Sequence, residues 1–332
     1  MSFCGATKML DRSPGPADVV TIPTQIVQRT QIADDIYLFE LHARGGDALP
    51  EFSAGAHVAV RVPNGQVRKY SLCNAPSERD RYVFAAKREV NGRGGSVSLI
   101  DQTKRGDTLQ VSPPHNDFAL VRSPAGYLFI AGGIGITPIL SMIRHLTSTG
   151  SGSFKLYYCT RSASATAFRD ELSAPEFRGR VVLHHDQGDP AQAFDLWPLL
   201  ERPKGHLYCC GPRSMMQAVR DMSGHWSPSS VHFEAFTDNA KNKPDDRAFT
   251  IRLARSGDVL PVPVGVSILE ALRARGHQVP SSCESGTCGT CRTRLLSGEA
   301  DHRDLVLSEA EHCNNIMVCV SRARSDELVI DR

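Results

Sequence analysis

The sequence predicts a multidomain chain: an antiparallel β-barrel, then an α/β unit on a parallel sheet, then a small α+β unit. Three observations carry that reading. Short runs of alternating apolar and polar residues, broken by turn residues, fill residues 21–124. Across residues 125–236, continuous apolar strands alternate with helical patterns. Residues 248–332 combine a hairpin pattern, one capped helix and a cysteine run, Cys283, Cys288 and Cys291, with Cys319 downstream.

Composition bounds the rest. A chain of 332 residues has room for two or three domains and a sizeable core. Hydrophobic residues make up 41% and charged residues 22%, as in ordinary globular proteins. A net charge of +2 gives no case for nucleic acid. The apolar runs are too short to cross a bilayer, so no membrane partner is expected. The N-terminus shows no apolar signal core, which predicts a cytoplasmic protein. Ten cysteines in such a compartment read as free thiols and ligands, not disulfides.

Residues 1–20 are rich in Ser, Pro, Gly and Ala and are expected to be disordered. In the barrel region, His57 to Val62 alternates as a half-buried strand, Pro63-Asn64-Gly65 is a turn, and Arg81 to Lys87 is a further strand. Two stretches there carry chemistry. On a strand, Arg68, Tyr70 and Leu72 face one way and Lys69 and Ser71 the other. Tyr70 offers a flat face, Ser71 a hydroxyl, and Arg68 a guanidinium for a phosphate or ring oxygen. The turn Asn91-Gly92-Arg93-Gly94-Gly95-Ser96 feeds a helical run from Val97 to Ile100, a seat for phosphate at a helix N-terminus. Alone, such a strand is more often packing, and such a turn only a turn.

In the second region, Tyr127 to Ala131 is apolar throughout, as a strand buried on both faces requires. Gly132 to Pro138 follows, then a helix with Ile139, Leu140, Ile143 and Leu146 on one face. Strand, glycine turn and helix together let backbone amides meet a pyrophosphate, although the spacing is not G-x-G-x-x-G. Further strands are expected at Phe154–Cys159, Val181–Leu183, His206–Cys210 and Val231–Phe233, with a helix at Arg213–Met222. A doubly wound parallel sheet binds its ligand at the strands' carboxyl ends. Those ends carry Gly132, Thr160, Arg161, Asp186, Cys210 and Glu234.

Residues 237–247 are polar and read as a linker. Beyond it, Phe249–Ala254 and Val259–Val262 form a hairpin pattern. Ser267 and Glu270 form a capping box for a helix that buries Ile268, Leu269 and Leu272. Strands are expected at Arg292–Leu296 and at Ile316–Val320, the latter bringing in Cys319. The C-x4-C-x2-C run, with 27 residues between its last cysteine and the fourth, has the spacing of plant-type 2Fe–2S sites. Four thiolates must converge on two irons, and Gly286 and Gly289 let the loop wrap closely. A Cys4 zinc site is the alternative. Residues 281–332 hold nine acids against six arginines, an excess that either docks this end on a basic body or partner or is chance surface variation.

Taken together, these stretches resemble the phthalate dioxygenase reductase family over nearly the whole chain after residue 20. The resemblance rests on Arg68-Lys69-Tyr70-Ser71-Leu72-Cys73-Asn74, the 91–96 turn, Gly132 to Pro138, Tyr208-Cys209-Cys210-Gly211-Pro212, His232-Phe233-Glu234-Ala235-Phe236 and the cysteine loop. It implies an FMN-binding β-barrel over 21–124, an NADH-binding α/β domain over 125–236 and a 2Fe–2S plant-type ferredoxin domain over 248–332.

By that resemblance Arg68, Lys69, Tyr70 and Ser71 line the flavin ring and phosphate, and Ala85, Lys87, Gly94, Gly95 and Ser96 hold the ring edge and phosphate. Thr137 and Phe236 meet the isoalloxazine. Gly133, Thr160, Arg161, Asp186, Cys210 and Pro212 form the pyridine-nucleotide site, with Asp186 favouring NADH. Cys210, Glu234 and Ser71 are the candidate catalytic residues, and Cys283, Cys288, Cys291 and Cys319 the iron ligands. Lys69 stands where the family pattern has threonine. The plain readings are a loop carboxylate for Asp186, a packed small residue for Cys210 and a surface acid for Glu234.

The implied activity is electron transfer from NADH through FMN and a 2Fe–2S cluster to a Rieske-type oxygenase in aromatic catabolism. Phthalate dioxygenase is the expected partner, and the chain is expected to be a monomer. Alternatives are the reductase of an aryl-ether O-demethylase and a non-enzymatic redox sensor or electron store.

Overall fold

The computed structural model describes residues 21–236, 243 and 245–332. The expected tail at 1–20 lies outside the described residues, as does most of the expected linker.

The first domain is built from β1 (Ile22–Ala33), β2 (Ile36–Ala43), β3 (His57–Arg61), β4 (Val67–Ser71), β5 (Arg81–Lys87), α1 (Gly95–Gln102) and β6 (Thr108–Val111). Its strands run in the order β4-β3-β6-β1-β2-β5, all antiparallel. A bridge between Leu72 and Phe84, with Cys73 N donating to Val83 O at 2.8 Å, joins the two edges and closes the barrel. Inside, Ile26, Phe39, Leu41, Val58, Leu72 and Phe84 pack with Leu99 and Ile100 of α1.

The second domain holds β7 (Tyr127–Gly132), α2 (Ile136–Thr149), β8 (Phe154–Thr160), α3 (Arg169–Leu172), β9 (Val181–His185), α4 (Trp197–Leu200), β10 (His206–Cys210), α5 (Arg213–Met222) and β11 (Val231–Glu234). The sheet order is β11-β10-β7-β8-β9, all parallel. Alternate residues of the strands bury opposite faces. Phe129, Ala131 and Tyr208 pack with α2, while Ile130, Leu207 and Cys209 pack with α5. The order reverses beside β7, so a crevice opens at the carboxyl ends of β7 and β10.

The third domain comprises β12 (Phe249–Leu253), β13 (Val259–Val262), α6 (Ile268–Ala274), β14 (Arg292–Ser297), β15 (Ala300–Asp301), α7 (Glu309–His312), β16 (Asn315–Met317), β17 (Arg322–Ala323) and β18 (Glu327–Ile330). Its main sheet has the order β13-β12-β18-β14-β16. The Ser267–Glu270 capping box opens α6, as the sequence requires. One expectation is corrected here. Cys319 is not on a strand: β16 ends at Met317 and Cys319 lies in the turn that follows. Met317 is paired with Arg292, the first residue of β14, so the ladder runs out one residue from Cys291. The chain then bends, and Cys319 meets Cys291 side by side.

Candidate functional site

The two faces of β4 have separate tasks. Tyr70 points into the barrel and stacks on Phe84 with ring centroids 4.8 Å apart. Its hydroxyl is buried with no hydrogen-bond partner among the described residues, which suits a polar cofactor atom. Arg68 lies against the start of α1, where a Cβ on Gly95 would come within 2.5 Å of its Nε. Gly94 caps that helix in the left-handed region, and Ser96 Oγ accepts from Glu89 N at 3.0 Å. First-turn amides have no partner within a helix, so this cradle fits a phosphate with the guanidinium beside it. Ala85 is buried nearby on β5, and exposed Lys87 lies 3.6 Å from the Glu89 carboxylate.

Lys69 and Ser71, on the other face, reach the other two domains. Lys69 Nζ donates to Ser282 O at 2.9 Å, beside the first cysteine. The residue that replaces the family's threonine therefore contacts the cysteine loop. Ser71 Oγ donates to Glu234 Oε2 at 3.2 Å, at the end of β11.

Glu234 is half-buried. Burial pushes its carboxyl up to about 8, against the smaller lowering by the Ser71 hydrogen bond. It is not the surface acid of the plain reading. Cys210 is its partner in the β10–β11 register and is fully buried. Burial, then the Glu234 charge, holds its thiol well above the usual value, so it is neutral.

The glycine turn after β7 faces the same point. A Cβ on Gly135 would sit 2.2 Å from the carbonyl oxygen of Cys210, so only glycine lets the two loops meet. Tyr158 Oη donates to Gly133 O at 3.0 Å, and buried Thr137 Oγ1 donates to Ile134 O at 3.1 Å. Thr160 shares a 2.9 Å hydrogen bond with His185 Nδ1. Asp186 Oδ1 accepts from Gly188 N at 2.8 Å, shaping its own loop. Arg161, Pro212 and Phe236 are exposed.

The four cysteine sulfurs pair two and two. Cys283 lies against Cys288, and Cys291 against Cys319. Cys283 N points at Cys288 Sγ at 3.5 Å and Ser285 N at Cys283 Sγ at 3.4 Å. Two pairs with amides aimed at sulfur fit a binuclear iron site, each iron taking two thiolates. The nine described cysteines form no disulfide, as expected.

Sequence reasoning missed the residues that seat this loop on the barrel. His115 Nε2 lies 2.8 Å from Ser282 Oγ, which also donates to the Asp117 carboxylate. His57, buried and edge-on to His115 at 5.6 Å, is pushed down to about 4 by burial and then by Lys69, so it is neutral. None of the three lies in a motif. The acidic end does dock on the body, but through main chain: Arg213 and Arg220 of α5 donate to the carbonyls of Arg303, Asp304 and Leu307, not to carboxylates.

A closed barrel with a phosphate cradle, a parallel sheet with a glycine turn and a binuclear cysteine cage, all meeting at β4, define an iron–sulfur flavoprotein reductase. Comparison with known proteins agrees. Residues 23–120 match an oxidoreductase FAD-binding domain, 129–221 an oxidoreductase NAD-binding domain, and 251–324 a 2Fe-2S iron-sulfur cluster binding domain. The phthalate 4,5-dioxygenase oxygenase reductase subunit of Pseudomonas putida is 54% identical over 92% of this chain and 95% of that protein. The vanillate O-demethylase oxidoreductase of Pseudomonas putida is 40% identical over 93% and 99%. A solved phthalate dioxygenase reductase, described as a modular structure for electron transfer from pyridine nucleotides to [2Fe-2S], is 52% identical. It covers 94% of this chain and 98% of its own, with a TM-score of 0.70. The chain belongs to the phthalate dioxygenase reductase family. It is an NADH-dependent oxidoreductase with flavin, nicotinamide and 2Fe–2S cofactors.

Proposed function

We propose that the chain delivers electrons from NADH, through FMN and its 2Fe–2S cluster, to a Rieske-type oxygenase acting on phthalate or a closely related aromatic acid. The observation that carries this reading is the double contact of β4, through Ser71 to the nucleotide sheet and through Lys69 to the cysteine loop. When bound, the nicotinamide supplies hydride, the flavin accepts it, and the cluster takes electrons singly.

The chain's own residues bind, orient and exclude water. Arg68 with Gly94, Gly95 and Ser96 holds a terminal phosphate, which suits FMN. Ala85, Lys87, Tyr70, Thr137 and Phe236 would hold the flavin ring. Gly133, Thr160, Arg161, Asp186 and Pro212 hold the nucleotide, with Asp186 available to a ribose hydroxyl. Neutral Cys210 floors the nicotinamide site. Glu234, protonated near neutrality, keeps a proton at its carboxyl beside Ser71. Cys283, Cys288, Cys291 and Cys319 hold the irons. The higher identity to the phthalate system than to the vanillate system, 54% against 40%, favours phthalate. Among the described residues no helix is long and apolar enough to cross a membrane. A monomer that meets the oxygenase transiently fits that role.

The test is an anaerobic titration. NADH should bleach the flavin and then the cluster bands, and the reduced protein should support phthalate oxidation by the oxygenase. Cys319→Ser should lose transfer to the oxygenase by more than about a hundredfold and keep NADH–ferricyanide activity. Even partners one layer outside a metal cost about 10–100-fold in affinity or activity. A Cys319→Ser variant that still reduces the oxygenase refutes the route. Failure of NADH to bleach the flavin supports a sensor or electron store instead.

A further inference from the structure

Three ligand-type atoms outside this route converge on one buried spot of the third domain. Asp304 is 2% exposed. Its Oδ2 accepts from the amides of Val306 at 3.0 Å and Leu307 at 2.7 Å. Its Oδ1 is buried and has no hydrogen-bond partner among the described residues. His302 Nδ1 lies 4.0 Å from that oxygen, and His312 Nε2, at the end of α7, completes the group. Both nitrogens are also buried and without a hydrogen-bond partner among the described residues. The three ligand atoms lie within 4.8 Å of one another, and the two imidazoles stack with centroids 3.9 Å apart.

Buried polar atoms ordinarily find partners, and an unpaired carboxylate oxygen is the costliest to leave without one. Three together, within 4.8 Å of one another, ask for a shared occupant. A carboxylate and two imidazoles attract a cation. The geometry points to a divalent transition-metal site at His302, Asp304 and His312, taking Zn2+ or an ion of similar preference. Two imidazoles and one carboxylate, with a fourth position open, are a common zinc set; Ca2+ and Mg2+ require oxygen ligands.

Bonds near about 2.1 Å imply ligand–ligand edges of about 3.4 Å, so the group must draw in on binding. The imidazoles must also splay from their stack, and half-buried His312 is the one placed to turn. The position gives such a cation a role. Leu305 N donates to Gly286 O in the cysteine loop at 2.9 Å, and Arg220 of α5 holds Asp304 O at 2.9 Å. A metal there would brace the segment that joins the cluster loop to the nucleotide domain.

The experiment is equilibrium dialysis of the holoprotein against Zn2+, with zinc and iron counted per chain by elemental analysis. We expect one zinc per chain with iron undiminished. His312→Ala should weaken zinc binding by at least about tenfold while the visible spectrum and NADH–ferricyanide rate stay unchanged. Cys313→Ser, which removes the neighbouring exposed thiol, should change nothing. Asp304 also shapes its own loop, so His312→Ala is the deciding variant. The site is refuted if the parent takes up no zinc, if uptake is matched by iron loss, or if His312→Ala binds as the parent does. Loss of binding in Cys313→Ser refutes it equally.

Discussion

Ser71 Oγ donates to Glu234 Oε2 across 3.2 Å, and the two residues belong to different domains. This contact ties the flavin-side strand of the barrel to the end of the nucleotide sheet, and it sets a pH dependence. Burial raises the Glu234 carboxyl from its ordinary 4.5 to about 8. Between those values the folded protein binds the extra proton and the unfolded chain does not. The group's contribution to stability is therefore full below the unfolded value and is lost as pH rises through the folded one. Glu234→Gln should remove that loss, and it should remove an inflection near pH ~8 in the rate at which NADH bleaches the flavin. Melting curves and stopped-flow traces across that range check both. An inflection that survives in Glu234→Gln assigns it to another group.

Lys69→Ala should act on the cysteine loop. Its bond to Ser282 O is exposed, and such a bond is worth about 0.5–1.5 kcal/mol. His115 and Asp117 still hold Ser282. The expected result is a drop of about 2–10-fold in the rate of cluster reduction, with flavin bleaching by NADH unchanged. An unchanged cluster rate would mean that the contact does not help to seat the loop.

Gly286→Ala should lower iron content. The residue has φ +78°, and its Cβ would come within 2.7 Å of Val320 Cγ2 and 3.1 Å of Asp304 Cα. Left-handed backbone at a non-glycine residue costs about 1–3 kcal/mol before the steric clash is counted. Iron and labile sulfide per chain, with the melting of the third domain, measure it. Full iron at unchanged stability would show that the loop relaxes freely.

Arg303→Leu should destabilise the third domain by about 3–5 kcal/mol. Arg303 is 3% exposed and pairs with Asp246 and Asp301, which are themselves largely buried. Removing it leaves two buried carboxylates opposite an apolar side chain. Urea unfolding followed by the cluster absorbance reads the loss. A cost below about 1 kcal/mol would place the pair among ordinary surface bridges.

Much of this was legible beforehand because it depends on local pattern. The alternating strand at His57–Val62, the apolar strand at Tyr127–Ala131, the Ser267–Glu270 cap and the cysteine spacing each express a geometric need within a few residues. Cys319 was misplaced onto a strand because its apolar neighbours, Met317, Val318 and Val320, look the same in a strand and in a buried turn. Where Lys69 points could not be read either, since the partner of a long charged side chain depends on what another domain brings near. The same holds for His57, His115 and Asp117: the barrel brings them together, and His115 and Asp117 find Ser282 only where the third domain docks.

By itself the sequence determined the kinds of part and their order: a barrel, a nucleotide sheet and a four-cysteine cage, each specified by short-range spacing. Only the tertiary structure decided how they meet, because contacts between domains join residues far apart in the chain. It buried Glu234 against Ser71, turned Lys69 to the cysteine loop and gathered His302, Asp304 and His312 into one group. Burial then raised the Glu234 carboxyl well above its ordinary range.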